Sequence, residues 1–202
     1  MRRTTKLTFF AATLFILSAC DASAPSAADA PKIETTETDA NFDPGLKVGE
    51  KAPLDVKFNS SENNEATLGE VLKDGPVAII FSRSVKWCPY CQAQLKQANT
   101  AAGQLKEMGY RLYGLTYDSP EEQTKFIDGQ AITYGFLSDQ KSALIDAFGL
   151  RDPQYTEGMA VGVPYASTVV IARDGTIMAK HVAEDYKIRP TNEDLIALVG
   201  SI

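Results

Sequence analysis

From Leu46 onward the hydrophobic positions switch between the rhythms of strand and helix. Residues 54–58, "LDVKF", read as a first strand, and residues 77–82, "VAIIFS", form the unbroken apolar run of a strand buried on both faces. Pro89 then suits the first turn of a helix, where its missing N–H costs nothing. Leu95, Ala98, Ala102, Leu105 and Met108 recur at helical spacing until Gly109 stops the run. "RLYGLTY" (111–117) predicts the next strand, and Asp118-Ser119-Pro120-Glu121-Glu122 the start of another helix, its two glutamates matched to the helix dipole. "ITYGFL" (132–137) reads as extended, and "KSALIDAFG" (141–149) as helix leading into a polar loop that runs to Gly162. "STVVIA" (167–172) and "TIMAKHV" (176–182) flank Arg173-Asp174-Gly175, a strong hairpin signal, and a last helix spans 192–199. The alternation predicts an α/β domain with a central mixed sheet covered by helices.

The first 45 residues obey neither rhythm. Arg2, Arg3 and Lys6 precede an apolar run from Leu7 to Leu17, shorter than the roughly 20 residues a membrane-spanning helix needs and laid out like an export signal. The run ends in Leu17-Ser18-Ala19-Cys20, which resembles the bacterial lipobox. That resemblance implies cleavage after residue 19, lipidation of Cys20 and display on the periplasmic side of a bacterial membrane, with Asp21 resembling an inner-membrane retention signal. Residues 21–45 are Ala, Ser, Pro, Thr and acids, with too little apolar surface to offset the entropy of ordering them. A flexible tether of this length spans about 25–30 Å end to end. The expected organisation is therefore a signal peptide (1–19), an anchored linker (20–45) and one folded domain (46–202).

Composition removes whole classes of function. The 202 residues carry a net charge of −6, and loss of the three basic residues before residue 20 takes it to −9. An acidic chain of this kind is no nucleic-acid binder. Its one histidine, His181, offers little to a metal site built on imidazole and reads as an ordinary strand residue.

The chemistry concentrates in residues 87–91, Trp-Cys-Pro-Tyr-Cys, which hold two of the chain's three cysteines. The nucleophile in thiol chemistry is the thiolate, and a cysteine at a helix N-terminus has its anion stabilised by unpaired N–H groups and the positive end of the dipole. Cys88 stands at that position. Cys91, three residues on, lies one turn away on the same face and within disulfide reach. The division of labour that follows has Cys88 attack and Cys91, less exposed, resolve, with Pro89 stiffening the turn. Zinc is disfavoured, since a structural site wants four ligands and the chain has no second CxxC. A purely structural bridge closing so small a loop would restrain the unfolded chain little.

The strand, the Trp-Cys-Pro-Tyr-Cys turn, the helix and the distant "GVPYASTVVIARDGTI" (162–177) resemble the thioredoxin-like superfamily, and within it the redoxin branch related to AhpC/TSA, over about residues 46–200. The resemblance implies a thioredoxin fold with a terminal hairpin entered through a cis-proline at Pro164. It also implies that Val163 presents backbone groups to an extended substrate and that Trp87 shields the disulfide. The activity implied is thiol–disulfide exchange with a protein dithiol or disulfide substrate and a redox partner, needing no dissociable cofactor and no metal. The alternative within the family is a peroxiredoxin-like peroxidase acting on a peroxide. Such enzymes carry Pro-x-x-x-Thr/Ser-x-x-Cys and a distant arginine; counting back from Cys88 the positions hold Phe81 and Val85, and the usual place of the arginine reads Tyr165-Ala166. Arg83 and Lys86 read as solvated loop charges, and Glu70 and Asp118 as candidates for the buried carboxylate that relays protons in many relatives. Copper-delivering relatives supply a further alternative, but they space their cysteines CxxxC and add a histidine.

Overall fold

The computed structural model describes residues 42–202. The signal peptide, Cys20 and nearly all of the tether lie outside the described residues.

Seven strands form one mixed sheet in the order β2-β1-β5-β4-β3-β6-β7. At its centre β3 (Val77–Phe81) is buried along its whole length, pairing parallel with β4 (Arg111–Thr116) and antiparallel with β6 (Ala166–Ile171). Side chains alternate across a strand, so β3 sends Val77, Ile79 and Phe81 into one core and Ala78 and Ile80 into the other. The first core lies under α1 (Leu68–Leu72) and α4 (Ala143–Ala147), and the second under α2 (Pro89–Glu107), α3 (Pro120–Gln130) and α5 (Asn192–Gly200). This is why the run 77–82 carries no polar alternation: both faces are covered. The mixed sheet flanked by helices is the architecture the sequence predicts.

The differences lie at the sheet's far edge and in the loops. The expected strand at 54–58 is displaced to β1 (Lys57–Ser60), which turns through Asn63 into β2 (Glu65–Thr67). Thr67 then caps α1, its hydroxyl accepting from the Glu70 N–H at 3.3 Å while the Glu70 carboxylate accepts from the Thr67 N–H at 2.8 Å. Glu70 is thus an exposed helix cap, which removes it as a buried proton relay. The extended segment expected at 132–137 pairs only as β5 (Gly135–Ser138), and the helix expected at 141–149 shortens to α4 because Ser142 takes a left-handed conformation. The terminal hairpin of β6 and β7 (Ile177–Ala183) forms as predicted.

The expected cis bond before Pro164 is a correction: no peptide among the described residues is cis. Residues 151–164 instead fold back on themselves. Arg151 and Pro164 form an antiparallel bridge, the Val163 C=O accepts from the Asp152 N–H at 2.9 Å, and the Val163 N–H donates to the Ala160 C=O at 3.2 Å. Val163 is fully buried and its backbone groups are already paired, so it offers no strand edge to a substrate.

Gly114 on β4 is packed closely between the Phe136 ring on β5 and Leu95 on α2. A Cβ there would meet the Phe136 ring at 2.8 Å and Leu95 Cδ2 at 3.1 Å. Gly114→Ala is expected to overpack this layer and destabilise the fold by about 1–3 kcal/mol. Urea unfolding read by fluorescence checks this; an unchanged midpoint would mean that the layer yields freely.

Candidate functional site

The site is built where β3 delivers the chain to α2. Residues 82–88 cross from the sheet to the helix, and Asp118, just beyond β4, pins this crossing from beneath. Its Oδ1 accepts from the Ser84 hydroxyl at 2.6 Å and its Oδ2 from the Val85 N–H at 2.7 Å. Ser84 Oγ in turn accepts from the N–H groups of Lys86 at 2.9 Å and Trp87 at 3.3 Å. From the other side the Gln92 amide donates to the Val85 C=O at 2.7 Å. Ser84, Val85, Lys86 and Trp87 are each tied by a hydrogen bond, so the position of Cys88 at the helix N-cap is fixed by hydrogen bonds rather than by sequence-local preference alone.

Cys88 and Cys91 are joined as a disulfide, with an S–S distance of 2.10 Å and Cα atoms 5.3 Å apart. Cys88 is the N-cap residue of α2, and its Sγ accepts from the Cys91 N–H at 3.3 Å. A serine or aspartate oxygen usually plays this part; here the helix aims its free amide at sulfur, an interaction that strengthens when the sulfur is an anion. Both sulfurs are buried, so the expected contrast in exposure between them is absent in the oxidised state. Pro89 is exposed at the first helical position, and the half-buried Trp87 turns its indole N–H to the Tyr117 hydroxyl at 2.9 Å. Tyr117 passes the bond on to the Met159 C=O.

Two arginines complete the site. Arg83, expected as a solvated loop charge, is instead 5% exposed. Its guanidinium lies 4.0 Å from the ring centre of Tyr186, 4.4 Å from Tyr155 and 5.1 Å from Trp87, a cage in which cation–π attraction replaces hydration. Lys86 keeps its expected place at the surface, paired with Glu122 at 2.6 Å. Arg189, which carries no signal in the sequence, is fully buried beside the second cysteine: one terminal nitrogen lies 3.3 Å from Cys91 Sγ, the other donates to Gln94 Oε1 at 3.0 Å, and Nε donates to the Tyr186 C=O at 2.7 Å. Gln94 could have been anticipated, since it follows Cys91 by one helical turn. Arg189 could not, being 98 residues away in a segment without periodicity.

Among the described residues no group of three or more His, Cys, Asp or Glu side chains is placed to hold a metal ion. His181 sits on β7 opposite Thr168, where burial lowers its pKa.

The AhpC/TSA family model matches residues 48–180. The chain is 26% identical to the putative peroxiredoxin Rv2521 of Mycobacterium tuberculosis over 146 residues, covering 72% of this chain and 88% of that protein. It is 24% identical to the thiol-disulfide oxidoreductase ResA of Halalkalibacterium halodurans over 96 residues, covering 47% and 48% of the two chains. Its fold superposes on the crystal structure of peroxidoxin BcpB from Mycobacterium tuberculosis with a TM-score of 0.65 at 20% identity, covering 78% of this chain and 98% of that one.

Burial raises the pKa of Asp118, against the opposing pull of the bonds from Ser84 and Val85. A carboxyl whose pKa is higher folded than unfolded holds its proton longer in the native state, so its contribution to stability is complete at acid pH and declines as pH rises through the folded value. Asp118→Asn is expected to lower stability by about 1–3 kcal/mol, through loss of an acceptor for a buried N–H. The gap to wild type should be widest near pH 4 and narrow toward neutrality. Denaturant titrations of both proteins across this range test it, and a gap that widens with pH would show that Asp118 is ionised throughout.

Proposed function

The chain belongs to the AhpC/TSA family of thiol-based redox enzymes, and on that premise we propose that it is a peroxiredoxin-like thiol peroxidase working through the Cys88–Cys91 couple. The observation that carries this reading is the cap of α2: an amide N–H directed at Cys88 Sγ, with a second sulfur already bonded to it. The near full-length match to the putative peroxiredoxin supports it further.

In the reduced enzyme Cys88, as thiolate, attacks the outer oxygen of a hydroperoxide. The O–O bond breaks, the departing alkoxide or hydroxide takes a proton, and Cys88 becomes a sulfenic acid. Cys91 thiolate then attacks the Cys88 sulfur, expelling hydroxide and forming the disulfide seen in this structure. A dithiol of a partner protein reduces that bridge and is itself oxidised.

A second reading, thiol–disulfide exchange on a protein substrate, draws on the residues that a peroxide would meet. Phe81 and Val85 stand where peroxiredoxins place proline and a hydroxyl. Phe81 is buried in the sheet and Val85 offers only its N–H, already given to Asp118. The resemblance to ResA and the compact CxxC spacing point the same way.

Export and anchoring through Cys20 are part of the proposal and rest on the sequence of residues 1–21. In bacteria, Cys20→Ala should leave the chain soluble and unlabelled by radioactive palmitate; retention of label would place the acyl chain elsewhere.

Stopped-flow mixing of the reduced chain with hydrogen peroxide or an alkyl hydroperoxide separates the two activities. The wild type is expected to consume peroxide and form the bridge. Cys88→Ser should lose about 1,000-fold or more of the rate, and Cys91→Ser should react once and stop at a sulfenic acid that dimedone captures. Reduction of insulin disulfides together with inertness toward peroxide would overturn the peroxidase reading in favour of the second.

A further inference from the structure

Arg189 is a cation without an anion. It is 0% exposed, and its hydrogen bonds go to two neutral oxygens and to Cys91 Sγ, with no carboxylate paired to it among the described residues. Burying a charge is expensive unless a partner offsets it, and here burial and the neighbouring Arg83 pull the pKa of Arg189 down to about 9, which still leaves it protonated at neutral pH. The disulfide cannot supply the missing charge. Reduction can, because it creates a sulfur anion at the atom the guanidinium already touches.

Cys91 needs such help. The helix amide serves Cys88, whereas Cys91 lies one turn inside α2 and is completely buried, an environment that by itself raises a thiol pKa. Two adjacent thiolates repel each other, so the first ionisation suppresses the second. Once Cys88 has become a neutral sulfenic acid or a mixed disulfide, that repulsion is gone, and the chemistry requires charge on the other sulfur.

We infer that Arg189 holds Cys91 as the thiolate during the resolving step, so that the cation lodged before α5 governs how quickly an oxidised or substrate-bound Cys88 is released. In that step Cys91–S⁻ attacks the Cys88 sulfur; a new S–S bond forms, the Cys88–OH bond breaks, and the leaving hydroxide becomes water with the proton that Cys91 gave to the solvent on ionising. No further oxidant or reductant takes part. Gln94 orients the guanidinium, and the Tyr186 carbonyl fixes its angle. The other charged or titratable groups around the pair are Cys88 on α2, Arg83 from the loop after β3, and Asp185 and Tyr186 from the segment before α5. The role deepens the redox reading above and rests on it, but its deciding measurement, the ionisation of Cys91, uses neither peroxide nor a disulfide substrate.

The test measures the ionisation of Cys91 in the full chain carrying Cys88→Ser, by the pH dependence of iodoacetamide alkylation, followed on the Cys91 peptide by mass spectrometry so that Cys20 does not contribute. The midpoint is expected near or below neutrality. Adding Arg189→Met should raise it by at least one unit, a tenfold loss of thiolate below the midpoint, and Arg189→Lys should recover part of the shift. Gln94→Glu, which gives the guanidinium a competing anion and keeps the size of the side chain, should raise it as well and serves if the Arg189 variants fold poorly. In the chain with both cysteines, Arg189→Met should prolong the life of the dimedone-reactive Cys88 sulfenic acid about tenfold. A Cys91 midpoint that stays fixed across these variants overturns the inference, whatever happens to their melting temperatures, since that is the pattern of a merely structural arginine. If the midpoint moves but the reduced wild type ignores peroxide, the role of Arg189 stands and the peroxidase reading falls.

Discussion

The site depends on one constraint: the first turn of α2 must begin at a sulfur. Helix N-termini leave amides without partners, and in most helices a side-chain oxygen satisfies them. Placing Cys88 there gives the same amides to a sulfur whose reactivity depends on bearing a charge. The constraint propagates outward. For Cys88 to be the N-cap, the chain must leave β3 and turn within seven residues, and that turn has to bury polar backbone beneath the end of the sheet. Asp118 resolves this by accepting from both Ser84 and Val85. Its own carbonyl is tied to the Ser138 hydroxyl at 2.7 Å, which links the turn to the end of β5 as well as β4. The geometry of the sulfur pair is therefore held by the C-terminal edge of three parallel strands, β3, β4 and β5.

A cap of amides is a fixed, modest source of positive potential. The site adds two guanidiniums, and each is kept from water by a different device. Arg83 is wrapped by three aromatic rings, whose faces offer negative potential without offering an anion. Arg189 is held by a carbonyl and an amide oxygen, leaving one nitrogen turned to sulfur. Burial lowers the pKa of Arg189, and the nearby Arg83 adds to that lowering. On the role inferred for Arg189, the cost of burying this cation is relieved when negative charge appears on Cys91. The arrangement also gives the Tyr186 segment a structural link to the redox state: its ring stacks on Arg83, its carbonyl holds Arg189, and it meets the Tyr90 ring edge to face at 5.8 Å.

The sequence disclosed what local physics controls. The buried run 77–82, the proline at the start of α2, the cysteine spacing and the Asp-Gly hairpin each state their structure within a few residues, and each was legible. The edge hairpin β1–β2 was not, because Ser61–Asn64 carries no Asn-Gly or Asp-Gly turn and the apolar signal at 54–58 comes from the approach to the strand. The charges were harder still. Arg83 reads as a loop residue because, apart from Trp87, the rings that bury it are distant in sequence; Tyr155 and Tyr186 come to it from 72 and 103 residues away. Glu70 and Asp118 look alike in sequence, yet one caps an exposed helix and the other is buried under the active turn, a distinction that only the sheet order makes. Burial of a charge is a property of the assembled fold.

The segment 151–164 carries that point into substrate access. The superfamily resemblance implies a free backbone edge at Val163, but its N–H is already given to Ala160 and its C=O already accepts from Asp152, so it presents no open strand edge. What remains around the disulfide is side-chain surface: Pro89, Trp87 and Tyr90, with Met159, exposed by 70%, reached through Tyr117. Main-chain pairing rewards an extended polypeptide of any sequence, whereas an apolar rim rewards shape and small size. A hydroperoxide needs no strand edge to reach a sulfur, but a protein disulfide approaching this site has to dock on the rim alone. The closed backbone at Val163 thus weighs toward the smaller substrate, independently of which residues line the path to Cys88.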